Sequence, residues 1–359
     1  MQSITINTIQ LQALVNKANQ CVGSNKFMKI TSVVGIKADG DTLSLYTTDG
    51  TNTLCVSCDI SQECDIDIAV NAETFVKLIN KFTSDEVKLT ATESSLEVVG
   101  NGRYTLALEL DDDGNLLSFK DEFPEDADAV GSMTVSAIQT VQASLKSSLS
   151  QNAGSIYTNY YAGKFIGATD RAMMAMYDYA MFTSEDTQFL LNSDFVDLLA
   201  LAGDAVGLSY NTEKQILLAN AANFKVMTKV AMGAGDFQVI GFEKMKSVEQ
   251  DCYCKIHKKE LLNVLDRLAL FVGPYDDSAI NIEFTNDSLQ IHSLSSSGVE
   301  IIEYAESKNA KDKTIKININ RLIAQLKSYT SDTVDLYYGS DLCIKLIDGE
   351  ITQVIGLMR

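Results

Sequence analysis

At 359 residues the chain is too long for one ordinary hydrophobic core and suits two or three domains, which its 46% hydrophobic content can fill. Only 2 prolines, no tryptophan and charges of both signs spread along the sequence exclude a disordered chain. A net charge of −19 excludes simple adhesion to nucleic acid, because each phosphate contact would be made against an acidic field; a DNA role requires local basic patches or a topological hold.

From the N-terminus, residues 1–6 lack the basic start and apolar run of a secretory signal, and no stretch approaches the ~20 apolar residues that span a bilayer. Seven cysteines, an odd number, fit reduced thiols better than a disulfide framework, so the expectation is a cytoplasmic protein with no membrane partner. Residues 3–6 alternate as a short strand, and Leu11, Leu14, Val15, Ala18 and Val22 then recur at helical spacing. Strand-like sequence follows, with a turn expected at Asp39-Gly40-Asp41. Asn71 opens a second helix through Phe75 and Ile79, a polar turn from Thr83 ends it, and Val87 and Leu89 belong to a strand. Residues 123–126, Phe-Pro-Glu-Asp, read as a linker.

The same order returns twice. Residues 133–135 read as a strand, and Ile138, Val141, Leu145 and Leu149 as a helix; Asn192 opens a second helix through Phe195 and Leu199, with a turn at Gly203-Asp204 and a strand from Val206. Residues 233–237, Gly-Ala-Gly-Asp-Phe, read as another linker. A strand over 252–256 and a helix with Leu261, Val264, Leu265 and Leu268 begin the third pass, and a turn is expected at Asn286-Asp287. That pass ends with Asn318, a helix through Leu322 and Leu326, a turn from Thr330 and a strand from Val334. Each asparagine sits where its side-chain oxygen can accept an orphan backbone N–H at a helix start, and capping is the role assigned to it.

Asn71, Asn192 and Asn318 lie 121 and then 126 residues apart, so the chain is a threefold repeat. Each unit of roughly 120 residues holds two helices and several antiparallel strands, an α+β arrangement. The predicted domains are 1–125, 126–246 and 247–359.

Little here suits a catalyst. His257 and His292 are the only histidines, neither sits beside a nucleophile motif, and no phosphate-cradling glycine loop appears. Cys55 and Cys58 have half the spacing of a zinc site, but in a strand they face opposite sides and no second pair follows. Cys252 and Cys254 share a strand face, where small apolar packing explains them. Residues 111–115 have the acids of a calcium loop, yet aligning Gly114 with its glycine puts Lys120 where a bidentate glutamate is required, so this is an acidic turn. No enzyme activity, resident metal or cofactor is expected.

Three α+β domains of this length and order resemble the bacterial sliding clamp, the beta subunit of DNA polymerase III. Residues 41–50 (Asp-Thr-Leu-Ser-Leu-Tyr-Thr-Thr-Asp-Gly) resemble the first domain's strand pair, and residues 165–171 (Phe-Ile-Gly-Ala-Thr-Asp-Arg) the second domain's strand ending in Ala-Thr-Asp. Residues 267–271 (Arg-Leu-Ala-Leu-Phe) resemble a helix end of the third domain, and 354–359 (Val-Ile-Gly-Leu-Met-Arg) the family's tail; the similarity covers essentially the whole chain in register.

The resemblance implies a DNA-clamp fold in which two crescent subunits close head to tail into a homodimeric ring, helices inside and sheets outside. Such a ring holds double-stranded DNA by topology and needs only weak, sequence-independent phosphate contacts, which suits an acidic protein. It implies that Lys17, Lys77, Lys81, Lys146, Lys258, Lys259, Arg321 and Lys327 on the inner helices, with Lys26 in the loop after the first, face the duplex; the stretch 194–202 has no basic residue. A lysine that only solvates the polar face of its helix is the alternative for each. The implied ring closure joins the edge strand with Arg103, Tyr104 and Leu106 to the third domain of the partner, Leu270 and Phe271 packing on Tyr104; alternatively, Leu270 and Phe271 belong to the third domain's own core.

The resemblance further implies an apolar pocket that takes short peptides from the DNA polymerase III alpha subunit, the clamp loader and other proteins carrying clamp-binding motifs. By position it comprises Thr169, Arg171, Met173, Met174, Gly235, Ile240, Cys343, Val354, Leu357 and Met358. Methionines are flexible and polarizable and suit such a surface, while the alternative places Met173 and Met174 in an ordinary core, with one of them inward. The sequence departs from the family at Arg171-Ala172-Met173-Met174, where clamps show Gly-His-Arg-Leu, and in a tail that has Leu357 instead of the usual proline and reaches Arg359 without a final leucine. The resemblance thus implies the pocket's place and leaves its peptide preference open. A second reading of the whole chain is a clamp-like interaction module, of a mobile element for instance, that is not loaded on DNA.

Overall fold

A computed structural model describes residues 2–23, 28–111, 113–119, 123–230, 237, 239–273, 277–294 and 298–359. The chain divides into two compact units, Met1–Val135 with Asp194–Val230, and Ser136–Ser193 with Ala231–Arg359.

The first unit opens with β1 (Gln2–Asn7) and α1 (Thr8–Ala18), then a long hairpin of β2 (Val33–Thr48) and β3 (Asn52–Asn71), α2 (Ala72–Ile79), β4 (Glu86–Ala91), β5 (Ser95–Val99), β6 (Arg103–Ala107) and β7 (Asp128–Met133). Numbering along the whole chain, it is completed by α4 (Ser193–Leu199), β12 (Val206–Asn211), β13 (Ile216–Ala221) and β14 (Phe224–Lys229). Two antiparallel sheets result, ordered β1-β4-β5-β6 and β2-β3-β14-β13-β12-β7. Helix α1 begins where the Asn7 side chain accepts from Ile9 N at 3.0 Å and Gln10 N at 3.2 Å, and α2 where Asn71 accepts from Thr74 N at 3.0 Å. Both therefore start on a satisfied cap. Leu11, Leu14, Val15 and Ala18 of α1 are buried, as are Phe75, Val76 and Ile79 of α2.

The turn expected at Asp39-Gly40-Asp41 is not one: β2 continues through it. Gly40 adopts φ +60° and the register jumps there, from Gly40 opposite Cys64 to Thr42 opposite Asp59, which sets Asp41 alone across from residues 60–63, so the extra residues of the bulge belong to β3 and lie opposite this point of β2. The hairpin turns later, at Asp49-Gly50, where the Asp49 carboxylate accepts from Thr51 N and Asn52 N at 2.7 Å each. A straight strand would separate Gly35 from Tyr46 by about 36 Å. Yet a Cβ on Gly35 would overlap the Phe119 ring, and Phe119 also stacks on Tyr46 at 6.0 Å between centroids. The hairpin therefore folds back on itself around Phe119, and the bulge supplies the bend. The expected strand at 133–135 stops at Met133, because Val135 already begins a helix. In the 123–126 linker, Phe123 packs against the cluster of Ile216, Leu218 and Met227.

The second unit contains α3 (Val135–Ser144), β8 (Asn159–Ala162), β9 (Ile166–Thr169), β10 (Met173–Tyr177), β11 (Phe189–Asn192), α5 (Val239–Ser247), β15 (Cys252–His257) and α6 (Lys258–Leu268). It continues with β16 (Ala279–Phe284), β17 (Ser288–Ser293), β18 (Val299–Glu303), β19 (Glu306–Lys308), β20 (Lys313–Asn318), α7 (Ile319–Ser328), β21 (Thr333–Tyr338), β22 (Cys343–Asp348) and β23 (Ile351–Gly356). Its sheets run β11-β8-β9-β10-β23-β22-β21-β15-β19 and β18-β17-β16-β20. Asn318 caps α7 by accepting from Arg321 N at 3.1 Å, and Leu261, Val264, Leu265 and Leu268 of α6 pack in one core with Leu322 and Leu326 of α7. Cys252 and Cys254 point into that core, as their shared strand face implied.

Of the linker at 233–237, residues 233–236 lie outside the described residues. Phe237 is buried in a core with Tyr157, Tyr161, Phe165 and Phe242, and α5 follows directly. The sequence reading placed no helix there.

Candidate functional site

The basic residues expected to face a duplex occupy different situations. Lys17 is exposed in the last turn of α1, Lys259 in the first turn of α6 and Lys327 in the last turn of α7. Lys81 and Lys146 are exposed just beyond the ends of α2 and α3, not on the helices where the pattern placed them. Three others are engaged. Lys77 pairs with Glu73 one turn away at 2.5 Å, a contact that holds the Glu73 carboxyl below its usual range. Lys258 Nζ donates to the Tyr329 carbonyl at 2.8 Å, and Arg321 Nε to Asp170 Oδ2 at 3.2 Å. Lys26 lies outside the described residues.

The expected pocket residues converge on one cross-strand row. Thr169 of β9 stands opposite Met174 of β10, Met174 opposite Val354 of β23, and Val354 opposite Lys345 of β22. Met174, Cys343 and Val354 belong to one apolar cluster with Tyr157, Phe165 and Phe242, and Met173 is also buried. The strand alternation that would turn one of the two methionines outward thus fails here, because both faces of β10 are covered. The β9–β10 turn is tightly made: Asp170 Oδ1 accepts from Ala172 N at 2.8 Å and Met173 N at 2.7 Å, and Thr169 Oγ1 accepts from Arg171 N at 2.9 Å. Arg171 carries φ +77°, a left-handed conformation costly for a side chain of its size, and its guanidinium sits 5.7 Å from the Tyr157 ring centre.

Other members disperse. Ile240 lies on α5 and is 80% exposed, and Gly235 lies outside the described residues. Leu357 packs on the core of α6 and α7, its N–H donating to Leu342 O at 2.9 Å, while Met358 N donates to Lys316 O at 2.8 Å. The sequence reading gave no role to Lys345, Tyr157 or the aromatic trio Phe165, Phe237 and Phe242; the only signal for Phe237 and Phe242 was their spacing after the glycine-rich linker.

The residues expected at the ring closure lie on a sheet edge and on the surface. β6 pairs only with β5 in its sheet, and along it Arg103 and Tyr104 are exposed while Leu106 is half-buried. Leu270 is 82% exposed and Phe271 50%, so they do not belong to the core of their own unit. A second strand, β18, also ends a sheet and exposes Val299 and Ile301.

His257 precedes α6 without a capping side-chain bond, and His292 lies 3.5 Å from Glu283. Asp111 accepts from Asp113 N at 3.0 Å and Asn115 N at 2.8 Å, the internal bonding of an acidic turn. Among the described residues no group of three or more potential metal ligands forms, and no helix is long and apolar enough to cross a membrane.

Residues 2–116 match the family model of the DNA polymerase III beta subunit, N-terminal domain. No curated protein sequence matches the chain. Among solved structures, the DNA polymerase III subunit beta of Borrelia burgdorferi superposes with TM-score 0.85 at 16% identity, covering 100% of both chains. The beta subunit of Streptococcus pyogenes gives 0.86 at 16% identity and the DNA polymerase sliding clamp of Pseudomonas aeruginosa 0.84 at 18%, each again covering 100% of both chains. Residues 2–116 thus resemble a beta-subunit N-terminal domain, and the chain from end to end has the fold of the bacterial sliding clamp.

Proposed function

We propose that this protein is a DNA sliding clamp, a non-catalytic processivity factor that encircles duplex DNA without reading its sequence and tethers the replicative polymerase. The observation that carries the reading is the end-to-end likeness to three bacterial beta subunits, joined to the family match of the first domain. In this reading residues 1–125, 126–246 and 247–359 are three modules, and two copies close a ring in the cytoplasm. β6 of one copy extends a sheet of the other's third module, where β18 offers an open edge, and Leu270 and Phe271 pack against Tyr104. Lys17, Lys259 and Lys327 are exposed cations suited to transient phosphate contact, and enclosure supplies the hold that a charge of −19 denies to adhesion. Peptides of the polymerase alpha subunit, the clamp loader and other partners dock over the row Thr169–Met174–Val354 with Cys343, which is itself buried and backs the site, against the exposed Arg171 and Ile240.

Loading on nicked circular DNA by the cognate clamp loader tests this. Retention on circles with release after linearisation is expected. Failure to be retained rejects the reading in favour of a clamp-like interaction module that is not loaded on DNA.

A further inference from the structure

Helix α5 is nine residues long, too short to hold itself in water, so its place depends on what fastens it. One fastening is aromatic. Phe242 stacks on Phe237 and tilts against Phe165, centroids 5.5 Å apart in both pairs, and a Cβ on Gly167 would come within 2.9 Å of both Phe165 and Phe242. The glycine lets the rings lie down on β9. A second fastening is the pair of Lys246 with Asp178 at 2.6 Å.

The third is unusual. Lys345 is only 7% exposed, yet no carboxylate among the described residues pairs with it. Its ammonium donates instead to the Lys246 carbonyl at 2.6 Å and to the Val248 carbonyl, the ends of α5 and of the chain leaving it. A helix C-terminus carries partial negative charge on such carbonyls, which makes it a site for a cation. Burial nevertheless pushes the Lys345 pKa down, so the charge is kept at a cost. The next link is again to β22: Gln250 Nε2 donates to the Cys343 carbonyl at 2.9 Å.

Lys345 also stands directly across from Val354, as the fourth member of the row that carries Met174 and Thr169, and it shares a strand face with Cys343. The same row thus backs the docking site from within and holds the end of the helix packed on it. We infer that Lys345 is a positioning residue for partner-peptide binding: it pins the C-terminal end of α5, so that the helix carrying exposed Ile240 forms a fixed wall of the pocket. The inference rests on the pocket reading given above. A solvated lysine would have no need of burial, and a purely structural buried position would be filled more cheaply by an apolar side chain.

The test uses the full chain, a fluorescein-labelled decapeptide from the C-terminus of the host polymerase alpha subunit, and hydrogen exchange at the α5 amides. Lys345→Met should bind the peptide about tenfold more weakly, the effect expected from losing a hydrogen-bonded charge. Its α5 amides should exchange faster, and Lys345→Arg, which can still donate to both carbonyls, should restore both readouts. Unchanged exchange, or faster exchange with wild-type affinity, overturns the inference. Should Lys345→Met fail to fold, Asp178→Asn decides on the half-exposed side: loosened α5 amides with wild-type affinity overturn it equally. Wild-type protein that does not bind the peptide, or binds it as well as Met174→Glu does, overturns the pocket reading instead, and the exchange data then judge the fastening of α5 separately.

Discussion

Replacing Leu270 and Phe271 together by alanine should dissociate the ring without unfolding the subunit. Fully burying a large apolar side chain stabilises by about 1.5–3 kcal/mol. Scaled by exposures of 82% and 50%, the pair has about 3 kcal/mol still to gain by burial against a partner. Alanine retains part of that, leaving a loss of about 2 kcal/mol per contact. A closed head-to-tail dimer contains the contact twice, so about 4 kcal/mol disappears and the dimer dissociation constant rises about a thousandfold. Sedimentation velocity across a dilution series reads the constant directly, and thermal unfolding of the diluted monomer reports the fold. An unchanged dimer would refute the interface, and a monomer that melts much earlier would refute the premise that these side chains stand outside the core.

The exposed helix cations give a second expectation: Lys17→Glu/Lys259→Glu/Lys327→Glu should lower the slope of duplex affinity against salt by about 2–3, since each phosphate contact contributes about 0.9. Fluorescence titration of a short duplex at several salt concentrations measures it, and an unaltered slope removes these residues from the DNA path. Gly35→Ala should destabilise the first unit by about 1–3 kcal/mol through overlap with Phe119, read as a lower urea midpoint; an equal midpoint would show that the hairpin does not close on that ring. Burial opposes charge on Asp348, but hydrogen bonds from Ser331 and Thr330 outweigh it and hold the carboxyl below the usual range. A depressed folded pKa stabilises above the unfolded value near pH 4 and loses that contribution as pH falls through the folded value. Asp348→Asn should therefore melt earlier than wild type at neutral pH and show a flatter decline of Tm below about pH 4; parallel curves would contradict this assignment.

Helices were legible because their signals are local. Asn71 and Asn318 accept the N–H groups their positions predicted, and Leu11, Leu14, Val15 and Ala18 of α1, Leu261, Val264, Leu265 and Leu268 of α6 and Leu322 and Leu326 of α7 turn inward. Leu270 and Phe271 were readable as an exposed pair from the resemblance alone, since helical spacing cannot tell a core-facing turn from one that leaves the core. Asp39-Gly40-Asp41 was misread as a chain-reversing turn because Asp-Gly-Asp satisfies either geometry, and only the pairing of β2 with β3 shows a bent strand with the extra residues 60–63 across from it. α5 escaped altogether: it is held by Phe165, Phe237 and Lys345 from elsewhere in the sequence, not by its own periodicity. Lys345 carried no local signal, as a lysine in a strand reads as solvent-facing until its partners are known.

The strand order bears on how the chain can be made. β23 lies in the interior of its sheet, between β10 and β22, although it follows both in the sequence, and β14 joins a sheet begun by β3 more than 150 residues earlier. A ribosome-bound product stopped before Ile351 would present two bare strand flanks carrying Met, Ile and Leu, the kind of surface on which nascent chains adhere to one another. Folding of that sheet must therefore wait until β23 is available, and deletion of residues 351–356 should be recovered as aggregates in place of shortened soluble protein.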